Sequence, residues 1–117
     1  MHKSSKELFR ENPKITERVD CCVDKLIDEF KPEKVILFGS FGRGEVKEDA
    51  TIDFIVIADT KLRFFDRIKK ALNACAGRFP SIEPIVYTPK ELKMMLDQGE
   101  GFLEDALEEG VLLYEKE

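Results

Sequence analysis

Val35-Ile36-Leu37-Phe38-Gly39-Ser40-Phe41-Gly42-Arg43-Gly44, followed after a polar stretch by Thr51-Ile52-Asp53-Phe54-Ile55-Val56-Ile57-Ala58, is the segment on which the fold turns. Each apolar run is short, continuous and bounded by turn residues, the pattern of a strand buried on both faces. A strand covered on both sides needs helices to cover it, and the flanking sequence supplies them. Upstream, Asn12-Pro13 is a cap and first-turn signal, and Ile15, Val19, Cys22, Val23, Leu26, Ile27 and Phe30 recur at helical spacing. This predicts an amphipathic helix over about 13–30, ended by Lys31-Pro32, because the residue before proline disfavours helix. Ser4 and Glu7 read as a capping box for a short N-terminal helix within residues 1–12.

Downstream, Leu62, Phe65, Ile68, Leu72 and Cys75 predict a helix over about 61–77, stopped by Gly77 and Pro80. Ile82 to Tyr87 is a third strand, in which Pro84 marks an edge or an irregularity. Thr88-Pro89-Lys90-Glu91 is a capping box with proline at the first helical position. It opens a short helix through Leu96. A last helix over about 101–109 ends at Gly110, and Val111-Leu112-Leu113-Tyr114 reads as a final strand. Alternating helices and strands imply an α/β (α+β) fold, a small mixed sheet flanked by helices, in one domain spanning 1–117.

The chemistry concentrates around the opening segment. A strand that ends in Gly-Ser and turns into helix presents free backbone N–H groups, which favour an anion such as phosphate. Gly39 permits close approach, Ser40 adds a hydroxyl, and Arg43 offers a charge-assisted contact. Strand alternation puts Thr51 and Asp53 on one face at the entrance of the second strand, opposite Ile52 and Phe54. Glu83 is a further acid within the third strand. If the second and third strands are neighbours, Asp53 and Glu83 converge on one hard cation such as Mg²⁺. Arg63, Arg67, Lys69 and Lys70 form a basic cluster that reads first as a solvated helix face, and Met94 and Met95 as ordinary helix packing.

Composition narrows the alternatives. The 117 residues carry 19 Lys and Arg against 24 Asp and Glu, a formal net charge of −5. Nucleic acid is bound chiefly by cations on phosphates, so general nucleic-acid binding is not expected. No apolar run is long enough to span a membrane and the first residues hold no signal-peptide core, so a cytoplasmic location is expected. Cys21, Cys22 and Cys75 lack metal-ligand spacing and read as reduced core thiols. His2 is the single histidine, which leaves no histidine-based catalysis.

Gly39-Ser40-x-x-Arg43-Gly44 followed by Asp53 in an apolar strand resembles the signature of the minimal nucleotidyltransferases, small members of the DNA polymerase β superfamily. Their pattern is Gly-Ser, a spacer, then Asp-x-Asp, with a third acid on a later strand. The resemblance extends over about 20–114 and includes Glu83 at the third acid position. It implies Mg²⁺- or Mn²⁺-dependent transfer of a nucleotidyl group from a nucleoside triphosphate to a hydroxyl. Gly39, Ser40 and Arg43 would bind the nucleotide, and Asp53 and Glu83 would hold metal, with Glu83 a further candidate for the base. The departure is at Thr51, which stands where the family has its first aspartate and remains only a weak metal ligand. Asp49 lies two residues too early to replace it. The resemblance therefore also implies an alternative, a catalytically degenerate nucleotide- or partner-binding subunit. Relatives of this size often accompany a HEPN-type protein, as the antitoxin of a toxin–antitoxin pair, and a homodimer or a partner chain would supply the wall that so small a domain lacks.

Overall fold

The computed structural model describes residues 9, 12–42, 51–77, 80–99 and 101–117. In chain order the elements are α1 (Pro13–Phe30), β1 (Lys34–Phe38), a single helical turn α2 (Gly39–Gly42), β2 (Ile52–Ile57), α3 (Phe64–Ala74), β3 (Ile82–Tyr87), α4 (Pro89–Asp97), α5 (Gly101–Glu109) and β4 (Val111–Glu115). The four strands form one mixed sheet in the order β3-β2-β1-β4. β1 pairs antiparallel with β2 and with β4, whereas β2 and β3 run parallel through the α3 crossover. The N-terminal helix expected within 1–12 lies almost wholly outside the described residues.

Period-2 alternation divides the sheet between two cores. One face carries Val35, Leu37, Ile52, Phe54, Val56 and Val86 against the buried stripes of α1 and α3. The other carries Ile36, Ile55 and Ile57 against Leu103 and Ala106 of α5, with Leu92, Met95 and Leu96 of α4 packed alongside. Both faces being covered is why β1 and β2 are continuously apolar.

The helix ends follow their sequence signals. Asn12 makes no side-chain cap, and its carbonyl instead accepts from the N–H groups of Ile15 and Thr16. Lys31 closes α1 in the left-handed region at φ 48°, donating to Ile27 O ahead of Pro32. At α4 the capping box is complete: Thr88 Oγ1 accepts from Glu91 N at 3.1 Å and Thr88 N donates to Glu91 Oε1 at 2.8 Å. α3 is shorter than its periodicity suggested. Leu62 N bonds Thr60 Oγ1 in a local turn, so the helix starts only after Arg63.

Two readings are corrected. Cys21 is exposed and only Cys22 and Cys75 are buried, because adjacent helical positions point about 100° apart. Arg67 is no part of a solvated face, being 7% exposed. Its Nε donates to Leu62 O at 2.8 Å, and its Nη1 donates to Val86 O at 3.2 Å and to Glu91 Oε1 at 2.6 Å. Arg67 thus ties α3, β3 and α4 together.

That contact also finishes the sheet edge. Ser81 O and Tyr87 O accept from Ile52 N and Ala58 N of the β2 segment, so alternation turns the backbone groups of Ile82, Pro84 and Val86 outward. Pro84 has no N–H to offer there, and Val86 O is taken by Arg67.

The Arg67 hydrogen bond holds the Glu91 carboxyl below its ordinary value. Its contribution to stability is therefore complete above the unfolded carboxylate value and is lost as pH falls through the lowered folded one. Arg67→Met should reduce stability by about 1–3 kcal/mol at pH 7, since it leaves Val86 O without its side-chain donor and Glu91 with only the Thr88 N–H. The gap to wild type, read by thermal unfolding, should narrow in strong acid.

Candidate functional site

The site lies where β1 ends and β2 begins. Antiparallel register sets Phe38 opposite Asp53, so the residue that follows, Gly39, sits beside the Asp53 carboxylate. Gly39 adopts φ +71°, and a Cβ built there would lie 2.5 Å from Asp53 Oδ2. Glycine is required on both counts: the left-handed backbone disfavours a side chain, and the carboxylate fills the space one would need.

β3 brings the second acid. Parallel pairing aligns Asp53 with Glu83 on neighbouring strands and therefore on one face. Thr51 stands next to them, and its hydroxyl donates to Asp53 Oδ1 at 2.9 Å. Burial raises the Asp53 carboxyl above its ordinary range, the Thr51 hydrogen bond opposes that rise, and the neighbouring Glu83 charge adds to it. Two carboxyl groups and a hydroxyl, all hard oxygen donors, thus meet beside a glycine turn. Among the described residues no group of three or more His, Cys, Asp or Glu side chains gathers in a metal-binding arrangement. The donor chemistry fits one hard cation better than two. Ser40 is the second residue of the α2 turn, next to Gly39. Arg43 and Asp49 lie outside the described residues.

The sequence reading missed one wall. A cavity of about 280 Å³ is lined by Phe38, Gly39, Phe102, Asp105, Ala106 and Glu109. Phe102 packs edge-on to Phe38, ring centroids 5.8 Å apart. Positions 102, 105, 106 and 109 recur at i, i+3, i+4 and i+7, so the face was legible as helical spacing, although not as part of this site.

The comparisons with known proteins bear on the family and the fold. The family model described as polymerase beta, nucleotidyltransferase matches residues 22–117. The chain belongs to this family. Among solved structures, the nucleotidyltransferase fold is shared with a candidate nucleotidyltransferase from Sulfolobus solfataricus at 20% sequence identity and a TM-score of 0.59. The match covers 99% of this chain and 91% of the Sulfolobus one. A search of curated proteins gave no significant match. The four-stranded mixed sheet flanked by helices is thus the fold of a nucleotidyltransferase. Among the described residues no helix is long and apolar enough to cross a membrane.

Two outcomes test the geometry without reference to catalysis. Gly39→Ala should destabilise the protein by about 1–2 kcal/mol from the backbone alone, with displacement of Asp53 visible in a crystal structure. For Asp53 the folded carboxyl titrates above the unfolded one. The stability it contributes is therefore present below the unfolded value and is lost as pH rises through the raised folded one. Asp53→Asn carries no charge at any pH, so its melting temperature relative to wild type should climb between pH 4 and pH 7. A constant difference across that range would show that Asp53 is not held in a desolvating site.

Proposed function

We propose that the chain is a Mg²⁺- or Mn²⁺-dependent nucleotidyltransferase of the minimal type, weakened by Thr51, which passes a nucleotidyl group from a nucleoside triphosphate to a hydroxyl acceptor. The observation that carries this reading is the contact between the Gly39 turn and the Asp53 carboxylate, with Glu83 in register beside it. Asp53 and Glu83 would hold the cation and Thr51 would lend a neutral hydroxyl. The metal supplies Lewis-acid stabilisation of phosphate charge and orients the triphosphate. Backbone at Gly39 and Ser40 would take phosphate oxygens, aided by Arg43. In the transfer the acceptor oxygen forms a bond to the α-phosphorus, the bond to pyrophosphate breaks, and the acceptor proton passes to Glu83.

A second reading rests on Thr51. Its hydroxyl occupies Asp53 Oδ1 and brings no charge, in a position where the family has an aspartate. A site so depleted suits a nucleotide- or partner-binding subunit, such as the antitoxin that accompanies a HEPN-type toxin. A homodimer would be the other way to complete the site.

Thr51→Asp separates the two. An added carboxylate facing the same cleft should tighten Mg²⁺ or Mn²⁺ binding by about tenfold or more, since even outer-sphere changes shift metal affinity by 10–100-fold. It should lower the metal-free melting temperature through repulsion with Asp53 and Glu83, and added Mg²⁺ should more than restore it. Calorimetry with ATP and the other triphosphates, with and without chelator, reads the binding. Gain of labelled-nucleotide transfer in the variant supports a weakened enzyme. Metal binding without transfer in either protein, together with tight association to a HEPN-type partner, supports the subunit. Nucleotide affinity indifferent to chelator would remove the carboxylates from both accounts.

A further inference from the structure

On the far side of β3 from β2, the N-terminal end of α3 and one flank of α4 leave an apolar groove that nothing in the catalytic reading uses. It encloses about 450 Å³ and is lined by Phe64, Tyr87, Glu91, Met94, Met95 and Gln98. Phe65 stands at its lip with 80% of its surface exposed, and Met94 is 52% exposed. The aromatic rings form one continuous surface: Phe64 lies 5.6 Å from Phe65 and 6.0 Å from Tyr87 between centroids. A phenylalanine this bare, beside a bare methionine, marks a surface that gains by being covered.

The floor is rigid. Arg67 fastens α3 to β3 and to Glu91, so the groove is held open by a charge-assisted network and the Glu91 charge is already satisfied. The same network decides how an occupant can bind. Strand addition along β3 is blocked, because Pro84 lacks an N–H and Val86 O is taken. An occupant must therefore bring its own closed backbone hydrogen bonds, which a helix does.

Charge selects the occupant further. Lys61 and Arg63 precede Phe64, and Lys90 sits one turn before Met94. All three are exposed, and none forms an ion pair among the described residues. A cationic rim on a chain of net charge −5 is a local reversal of sign. A second copy meeting this surface with its own would set like charges against each other. A nucleic acid would use the cations but leave Met94 and Met95 without function.

We infer that the groove between α3 and α4 docks an amphipathic helix of a partner protein, its apolar stripe on Phe64, Phe65 and Met94 and its acidic flanks on Lys61, Arg63 and Lys90. Apolar contacts supply the affinity, and the charges supply orientation and a dependence on salt.

The test uses the full chain and three fluorescent probes, read by anisotropy at low and high salt. One is a synthetic amphipathic helix with leucine at i, i+3, i+4 and i+7 and glutamate flanks; the second replaces each glutamate by lysine; the third is a single-stranded oligonucleotide. The acidic helix should bind, weaken as salt rises, and shift the methyl signals of Met94 and Met95 in NMR spectra. Phe65→Ser should weaken it by about tenfold or more, as expected for an exposed aromatic anchor. Phe65 packs on little, so this variant should melt at the wild-type temperature, and Lys61→Glu with Arg63→Glu should weaken binding without it. Absence of binding by the acidic helix, equal affinity for the basic one, tighter binding of the oligonucleotide, or indifference to Phe65→Ser would each overturn the proposal. So would self-association of the free chain that Phe65→Ser abolishes, since the occupant would then be a second copy.

Discussion

Parallel pairing of β2 with β3 is the constraint from which the arrangement of this chain follows. Parallel neighbours cannot be joined by a tight turn, so α3 must cross one face of the sheet, and it packs there beside α1. α4 and α5 then cover the opposite face, and β2 lies buried on two sides. The same register aligns Asp53 with Glu83. A slip of one residue would turn one carboxyl onto the other face of the sheet. Hydrophobic burial fixes that register, since Ile55 and Ile57 must meet one core while Phe54 and Val56 meet the other. The relative placement of the two acids is thus a by-product of packing the apolar side chains of the same strands.

Much of this was legible in sequence where local chemistry is decisive. Proline at 13 and 32 bounds α1, and Thr88 with Glu91 opens α4, because caps and proline act within a few residues. The strands were readable as apolar runs between turns. Their partners were not, because an apolar run buried on both faces carries no mark of its neighbour. The adjacency of Asp53 and Glu83 therefore stayed conditional until the sheet order was known. Arg67 shows the opposite difficulty. As one of four cations in eight residues it reads as solvated, yet tertiary contacts bury it between a carboxylate and two carbonyls. Phe102 was readable as helical and unreadable as site-lining, since only the packing of α5 against β1 brings it near Gly39.

Family and fold agree here while leaving the chemistry to a few atoms. The fold is shared with the Sulfolobus protein at 20% identity, a level at which architecture persists and individual side chains do not. Within this chain, Gly39 and Asp53 are coupled by steric necessity, whereas the residue at position 51 touches Asp53 through a hydroxyl alone. A change at Gly39 disturbs backbone and carboxylate together. A change at Thr51 alters the charge of the cleft with the sheet intact. The fold is in that sense indifferent to the charge carried at position 51, and the cleft can be tuned without rebuilding the domain.

The order of the strands also bears on how the sheet comes together. β1 lies between β2, its near neighbour in the chain, and β4, which pairs with it only from the distant segment Val111–Glu115. The entropy of closing a loop rises with the length of chain enclosed, so β1–β2 and β2–β3 are the cheaper unions and β1–β4 the dearest. The half of the sheet bearing Gly39, Asp53 and Glu83 can therefore assemble first, with β4 zipping on afterwards across a register shift between Val35 and Ile36. A partly folded chain would then expose the β1 edge while its carboxylate cleft was already formed.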